Sequence, residues 1–324
     1  MDDHAPLIVY RFGPNAIDLF TLDAFTGDRA PMGRLRLGAE VAGQSIEWSA
    51  DRRSAFVYAD SDSVSARIDI ASGSVDSVGR LGPSASRDAV SPAGNAVARL
   101  TDQNDIEIVD LNGRRIRLLP LPNGIQPLLR IVWSPDATTI AVTSCLPCDN
   151  RKEAGPWHVF IAPVDGGPVR IVGEIMTTYI GIDDWSPDGT RLAYGNAVDG
   201  MNAASGGVGI IDLASGAASQ LTTEGEASAS WSPDGERIVF DNGFGGSELS
   251  VIDADGAPGS RRVLAKSEAG FGFDDPIWSP NGDWILYRVI PMDGVSQTGI
   301  GALWMVPSAG GEPSLVLESA IADW

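Results

Sequence analysis

The sequence is poor in the residues on which most catalytic and metal chemistry depends. It has two histidines, two cysteines and two lysines (Lys152 and Lys266) in 324 residues. Nucleophilic hydrolysis needs a base beside the nucleophile. His4 lies near the start of the chain, His158 falls on an expected strand, and no Gly-x-Ser-x-Gly elbow occurs. Two separated histidines cannot build the clusters that metal-dependent lyases use. Basic residues are also scarce, 23 against 43 acidic, and the formal charge of −20 opposes binding to nucleic acid or anionic lipid. No apolar run is long enough for a transmembrane helix, so no membrane insertion by such a helix is expected. Met1-Asp2-Asp3-His4 does not read as an export signal.

What the chain has in abundance is turn residues, with 38 glycines and 21 prolines, and an internal repeat. Trp231-Ser232-Pro233-Asp234-Gly235 precedes an apolar run, Glu236–Phe240. The phrase returns at Trp185–Gly189, Trp133–Asp136 and Trp278–Gly282, with worn copies at Trp48–Asp51 and Val90–Gly94. Each phrase reads as a strand ending in Trp, a turn shaped by Pro, Asp and Gly, and a second strand. Seven second strands are expected, at Leu7–Phe12, Ala55–Ala59, Ala96–Leu100, Ile140–Ser144, Arg191–Gly195, Arg237–Asp241 and Trp284–Val289. A third strand ends each time in a Gly-containing turn such as Ile211–Gly216, a hairpin signal. A fourth strand follows, as at Arg115–Leu119, Gln220–Thr222, Arg261–Leu264 and Ser314–Leu317.

Four antiparallel strands repeated every 40–50 residues or so predict a β-propeller. The expectation is one all-β domain over 1–324, a seven-bladed propeller of four-stranded antiparallel blades. Ile321–Trp324 is expected to supply a first strand beside Leu7–Phe12 and so close the ring. The blade beginning at Val90, which lacks the Trp, should pack more loosely.

The Trp-Ser-Pro-Asp-Gly phrase and the Asp-x-x-x-Gly turn resemble the WD40-like (PD40) repeat of TolB-like propellers. The same repeat occurs in the propellers of prolyl-oligopeptidase-type enzymes. The resemblance covers essentially the whole chain and is strongest from Trp133, Trp185, Trp231 and Trp278. It implies a fold that serves many roles. It also implies export, with a signal or anchor upstream of Met1, and a partner in the cell envelope. Calcium in the channel is compatible with it.

Three features bear on function. Cys145-Leu146-Pro147-Cys148 lies where the Trp133-to-Trp185 interval stretches to 52 residues, against 46 and 47 for the next two. The alternatives are a local disulfide, two free thiols, or a metal or redox site, and export favours the disulfide. Next, the loops expected at 146–157, 197–207 and 291–299, with 175–182 and 266–275, should crowd one face. Trp157, Tyr179, Met201, Phe271, Phe273 and Met292 would be apolar anchors there for a protein or peptide partner. Finally, the acids Glu47, Asp88, Asp183, Asp184, Asp274, Asp275 and Asp323 fall on innermost strands. Asp183, Asp184, Asp274, Asp275 and Asp323 are candidate ligands for Ca²⁺, the alternative being a solvated acidic rim.

The expected function is a non-catalytic, monomeric, extracytoplasmic scaffold that binds protein or peptide on its loop-rich face. One alternative is a sensor domain holding a small ligand or cation in its channel. Another is a glycan hydrolase or lyase using paired carboxylates.

Overall fold

The structure is a computed structural model and describes residues 7–13, 16–36, 46–48, 54–60, 63–69, 72, 74–77, 89–101, 103, 105–122, 131–145, 155–177, 179–199, 202–223, 228–242, 247–291 and 301–323. Among these, every regular element is a β-strand. In chain order they are β1 (Leu7–Gly13), β2 (Ala16–Leu22), β3 (Arg29–Arg36), β4 (Ile46–Trp48), β5 (Ser54–Asp60), β6 (Ser63–Asp69), β7 (Val75–Ser77), β8 (Ala89–Val90), β9 (Ala96–Leu100), β10 (Ile106–Asp110), β11 (Arg115–Leu119), β12 (Ile131–Trp133), β13 (Thr139–Cys145) and β14 (Gly155–Pro163). Then follow β15 (Arg170–Thr177), β16 (Tyr179–Trp185), β17 (Arg191–Asp199), β18 (Asn202–Asp212), β19 (Ala218–Gln220), β20 (Ala229–Trp231), β21 (Arg237–Asp241), β22 (Glu248–Asp253), β23 (Arg262–Lys266), β24 (Phe271–Trp278), β25 (Trp284–Pro291), β26 (Gly301–Pro307) and β27 (Ser314–Asp323).

The chain divides into two compact units. One comprises 1–39, 193–210 and 219–324; the other comprises 40–192 and 211–218. The second unit contains three four-stranded sheets, β4–β7, β8–β11 and β12–β15, each in sequential order. The first contains the sheet β20–β23 and a seven-stranded sheet in the order β24-β25-β26-β27-β1-β2-β3. The remaining four-stranded sheet, β16–β19, includes the residues where the division falls. All seven expected second strands are present, most of them longer than the apolar pattern alone marks.

Strand β27 differs from expectation. The fourth strand at Ser314 and the strand at Ile321 are one element. Its first part pairs with β26 and its last residues pair antiparallel with β1, Val9 opposite Ala322. Trp324 lies outside the described residues.

The repeated phrase has a local physical cause. Ser186 Oγ donates to Asp188 Oδ1 at 2.6 Å and accepts the Arg191 N–H at 2.9 Å. Ser134, Ser232 and Ser279 receive the corresponding backbone N–H from Thr139, Arg237 and Trp284. Gly189, Gly235 and Gly282 take φ of 69°, 71° and 78°, which favours glycine. Ala137 occupies that position in the Trp133 copy at φ 58°, a strained conformation for a residue with a Cβ. The Trp indoles then lock sheet to sheet. Trp133 Nε1 donates to the Ala89 carbonyl at 2.9 Å, and Trp278 Nε1 donates to that of Ser230 at 3.1 Å. Val90, in place of Trp, is half-buried against a small cluster of Phe56, Val97 and Val109.

The last strands are shielded against edge pairing. β3, β11, β15 and β23 each end a sheet and carry a register shift against the preceding strand. A bulge twists an edge away from further pairing. Arg29, Arg115, Arg170 and Arg262 add charge at their starts.

The Ser186 bond to Asp188, the largest cause, holds that carboxyl below its usual range, and Ser134 does the same for Asp136. A carboxyl with a depressed folded pKa contributes stability above its unfolded value, and loses it as pH falls through the folded one. Ser186 is fully buried. Ser186→Ala is therefore expected to cost about 1–3 kcal/mol at neutral pH. It should also flatten the loss of stability between roughly pH 5 and pH 3, read from urea melts at each pH.

Candidate functional site

The chemistry-bearing residues of the first unit gather on β24 and its neighbours. β24 begins after Glu268 and Gly270, where the Phe271 N–H bonds the Glu268 carbonyl at 3.1 Å. Phe271 and Phe273, two residues apart, share one face of the strand; Phe271, at its start, is 41% exposed, while Phe273 is 5% exposed. Phe273 meets the Tyr287 ring edge-on, with centroids 5.1 Å apart and planes at 87°. These residues line a cavity of about 590 Å³ with Val289, Pro291, Trp304 and Pro313. Its polar residues are Lys266, Ser267, Glu268 and Glu318.

Several of the cavity's polar groups have no hydrogen-bond or ion-pair partner among the described residues. Tyr287 is 2% exposed, yet its hydroxyl forms no hydrogen bond with any described residue. Burial pushes its ionisation well above the usual tyrosine range, so it stays a neutral phenol. The Trp304 indole N–H likewise meets no acceptor among the described residues. Lys266 is taken up by Glu248, Nζ to Oε1 2.5 Å. Glu268 and Glu318 form no ion pair among the described residues.

Further along β24 the pairing with β25 shifts between Asp274 and Ile277, and Asp275 takes φ 47°. This bulge turns both carboxylates to Arg288. The guanidinium lies 2.5 Å from Asp274 Oδ2 and also bonds Asp275. Burial raises the Asp274 carboxyl and Asp275 adds to the rise, with Arg288 opposing. The positive charge these acids meet is therefore a side chain of the same sheet.

The other expected site residues are dispersed. Asp183 and Asp184 lie half-buried on β16, where Asp184 Oδ1 accepts the Trp185 N–H at 2.8 Å. Tyr179 opens β16, and Asp323 pairs with Ile8. Cys145 ends β13 opposite Trp157. Met201, Met292 and Cys148 lie outside the described residues, as does Asp88. Among the described residues no three His, Cys, Asp or Glu side chains form a metal-binding group. No described helix is long and apolar enough to cross a membrane.

Several residues expected on loops are in strands. Trp157 is buried in β14, and Phe271, Phe273, Asp274 and Asp275 belong to β24. The expected loop 197–207 consists largely of the ends of β17 and β18. Backbone pairing continues past the point where apolar alternation stops, because ladder hydrogen bonds are indifferent to side chain. Sequence reasoning missed Arg288, Tyr287 and Trp304. It also missed a row across β13, β14 and β15, in which Ser144 faces His158 and His158 faces Glu174. His158 Nδ1 lies 3.5 Å from Glu174 Oε2.

The TolB beta propeller domain profile matches residues 43–281. The chain belongs to the TolB β-propeller family. No curated protein sequence matches it. Solved structures share its fold at low identity. A putative TolB from Agrobacterium tumefaciens is 16% identical, with TM-score 0.53, over 95% of this chain and 91% of that one. Oligogalacturonate lyase from Vibrio parahaemolyticus is 14% identical, with TM-score 0.62, over 93% and 90%. A putative 6-phosphogluconolactonase from Bacteroides uniformis is 15% identical, with TM-score 0.61, over 98% and 99%. The TolB propeller of this chain thus shares its fold with proteins named as a TolB, a lyase and a lactonase, so the fold alone does not assign a function.

Proposed function

We propose that this TolB propeller is a non-catalytic scaffold that binds a protein or peptide, with the cavity beside Phe271 as its anchoring point. In this reading the sheets are seven blades closed into a ring through β27 and β1. The domain works as a monomer outside the cytoplasm, and its partner is an envelope protein. The carrying observation is Phe271, an exposed aromatic at the mouth of a cavity whose deeper walls are Phe273, Tyr287 and Trp304. A rigid aromatic pocket receiving one side chain is the usual form of an interface hot spot.

Phe271→Ala is expected to change stability by less than about 1 kcal/mol, because the side chain is exposed. The same substitution should abolish capture of a partner from the envelope fraction of the source cells. Undiminished capture by the variant would reject this reading. A second reading, a sensor for a small ligand, draws on the cavity volume of about 590 Å³, which is in the range of small-molecule sites. It expects thermal stabilisation by that ligand with no protein partner present.

A further inference from the structure

We propose that the Phe271 cavity selects a basic side chain, arginine or lysine, displayed by the partner. The inference rests on the scaffold reading above and adds the chemistry of the group bound. Four observations converge. The cavity wall is aromatic, and ring faces attract cations. Glu268 and Glu318 sit on it with no counter-charge among the described residues, since its one lysine, Lys266, is held by Glu248. The Tyr287 hydroxyl, on a side chain 2% exposed, has no partner among those residues and is a neutral acceptor for an N–H donor. The chain carries a formal charge of −20, so a basic partner segment is drawn toward it and an acidic one repelled.

An arginine or lysine uses all four at once. Its aliphatic stem lies on the apolar wall while its head stays among polar groups. A purely aliphatic or aromatic anchor would leave both glutamates and the phenol without a role. Arginine has the further advantage that its planar guanidinium both stacks on a ring and forks to a carboxylate.

The test uses the whole chain and two probes of equal shape, N-acetyl-arginine amide and the neutral N-acetyl-citrulline amide. The readout is the Trp304 indole N–H resonance, assigned by its loss in Trp304→Phe. The arginine probe is expected to shift this resonance saturably and to bind about tenfold more tightly than citrulline. Added salt should shrink that margin. Tyr287→Phe keeps the ring and should weaken the arginine probe. Glu268→Gln with Glu318→Gln should bring arginine down to the citrulline level and leave citrulline unchanged. Equal binding of the two probes by the unmodified protein would overturn the proposal, and so would a Trp304 resonance that neither moves. Partner capture that fails in Phe271→Ala but persists in the double glutamine variant sinks this inference alone. Capture that survives Phe271→Ala sinks the scaffold reading as well.

Discussion

Ending the chain at Glu318 is expected to remove most of the stability of the unit that contains β1. Strand β27 alone joins β1–β3 to β24–β26 in the seven-stranded sheet. Its segment after Glu318 provides the described pairs to β1, namely Asp323 with Ile8, Ala322 with Val9 and Ile321 with Tyr10. Behind that ladder Leu7, Val9 and Leu22 are fully buried against Leu286, Leu303, Met305 and Leu317. Full burial of one such side chain contributes roughly 1.5–3 kcal/mol. Exposing three would cost about 5–9 kcal/mol, against the 5–15 or so that an entire domain has. Thermal melts should show loss of the cooperative transition or a fall of tens of degrees. Limited proteolysis should release the first three strands early. A milder variant, Ala322→Pro, removes one ladder donor and should fall between the two. A truncated protein that melts within a few degrees of the intact chain would mean that β1 is held by something other than β27.

The fold was open to inspection in the sequence because its cause is local and repeated. Ser and Asp of each Trp-Ser-Pro-Asp phrase bond within five residues, so the turn is written in adjacent letters. The same locality explains why strand ends were misjudged. Phe271–Asp274 pair with Arg288–Pro291 and the register then shifts before Ile277, and nothing in the order of residues announces a bulge. The candidate site was half legible. Phe271 and Phe273 stand out as aromatics beside acids, but Tyr287 and Trp304 read as ordinary alternating strand residues. Only pairing of β24, β25 and β26 brings these four rings to one cavity. The contact of Asp274 and Asp275 with Arg288 was hidden for the same reason: Arg288 is thirteen residues beyond Asp275, and the contact exists only once β25 folds back.

Trp278→Ala is expected to cost about 3–5 kcal/mol, the range for emptying a buried aromatic site. Trp278 is 7% exposed in a cluster with Val239, Leu249, Val251, Leu264, Ile285 and Val306, which belong to two neighbouring sheets of one unit. Its indole N–H bonds the Ser230 carbonyl at 3.1 Å, and the Arg237 guanidinium stacks 4.8 Å from its ring centroid. Trp278→Phe separates these contributions. It keeps an aromatic body but loses the hydrogen bond to the Ser230 carbonyl and part of the ring volume, for a cost of about 1–3 kcal/mol. Arg237→Ala should cost less than either, and in a double-mutant cycle with Trp278→Phe its coupling should be about 0.5–1 kcal/mol. Trp278 also ends the strand on which Phe271 and Phe273 stand. Loosening that end frees the strand from the sheet beside it, so Trp278→Ala should weaken partner capture together with stability. Phe271→Ala, which touches only the cavity mouth, should weaken capture alone. Urea melts and capture measured on the same two proteins decide the matter. If Trp278→Ala melts like the intact chain, the indole is not what wedges these sheets together.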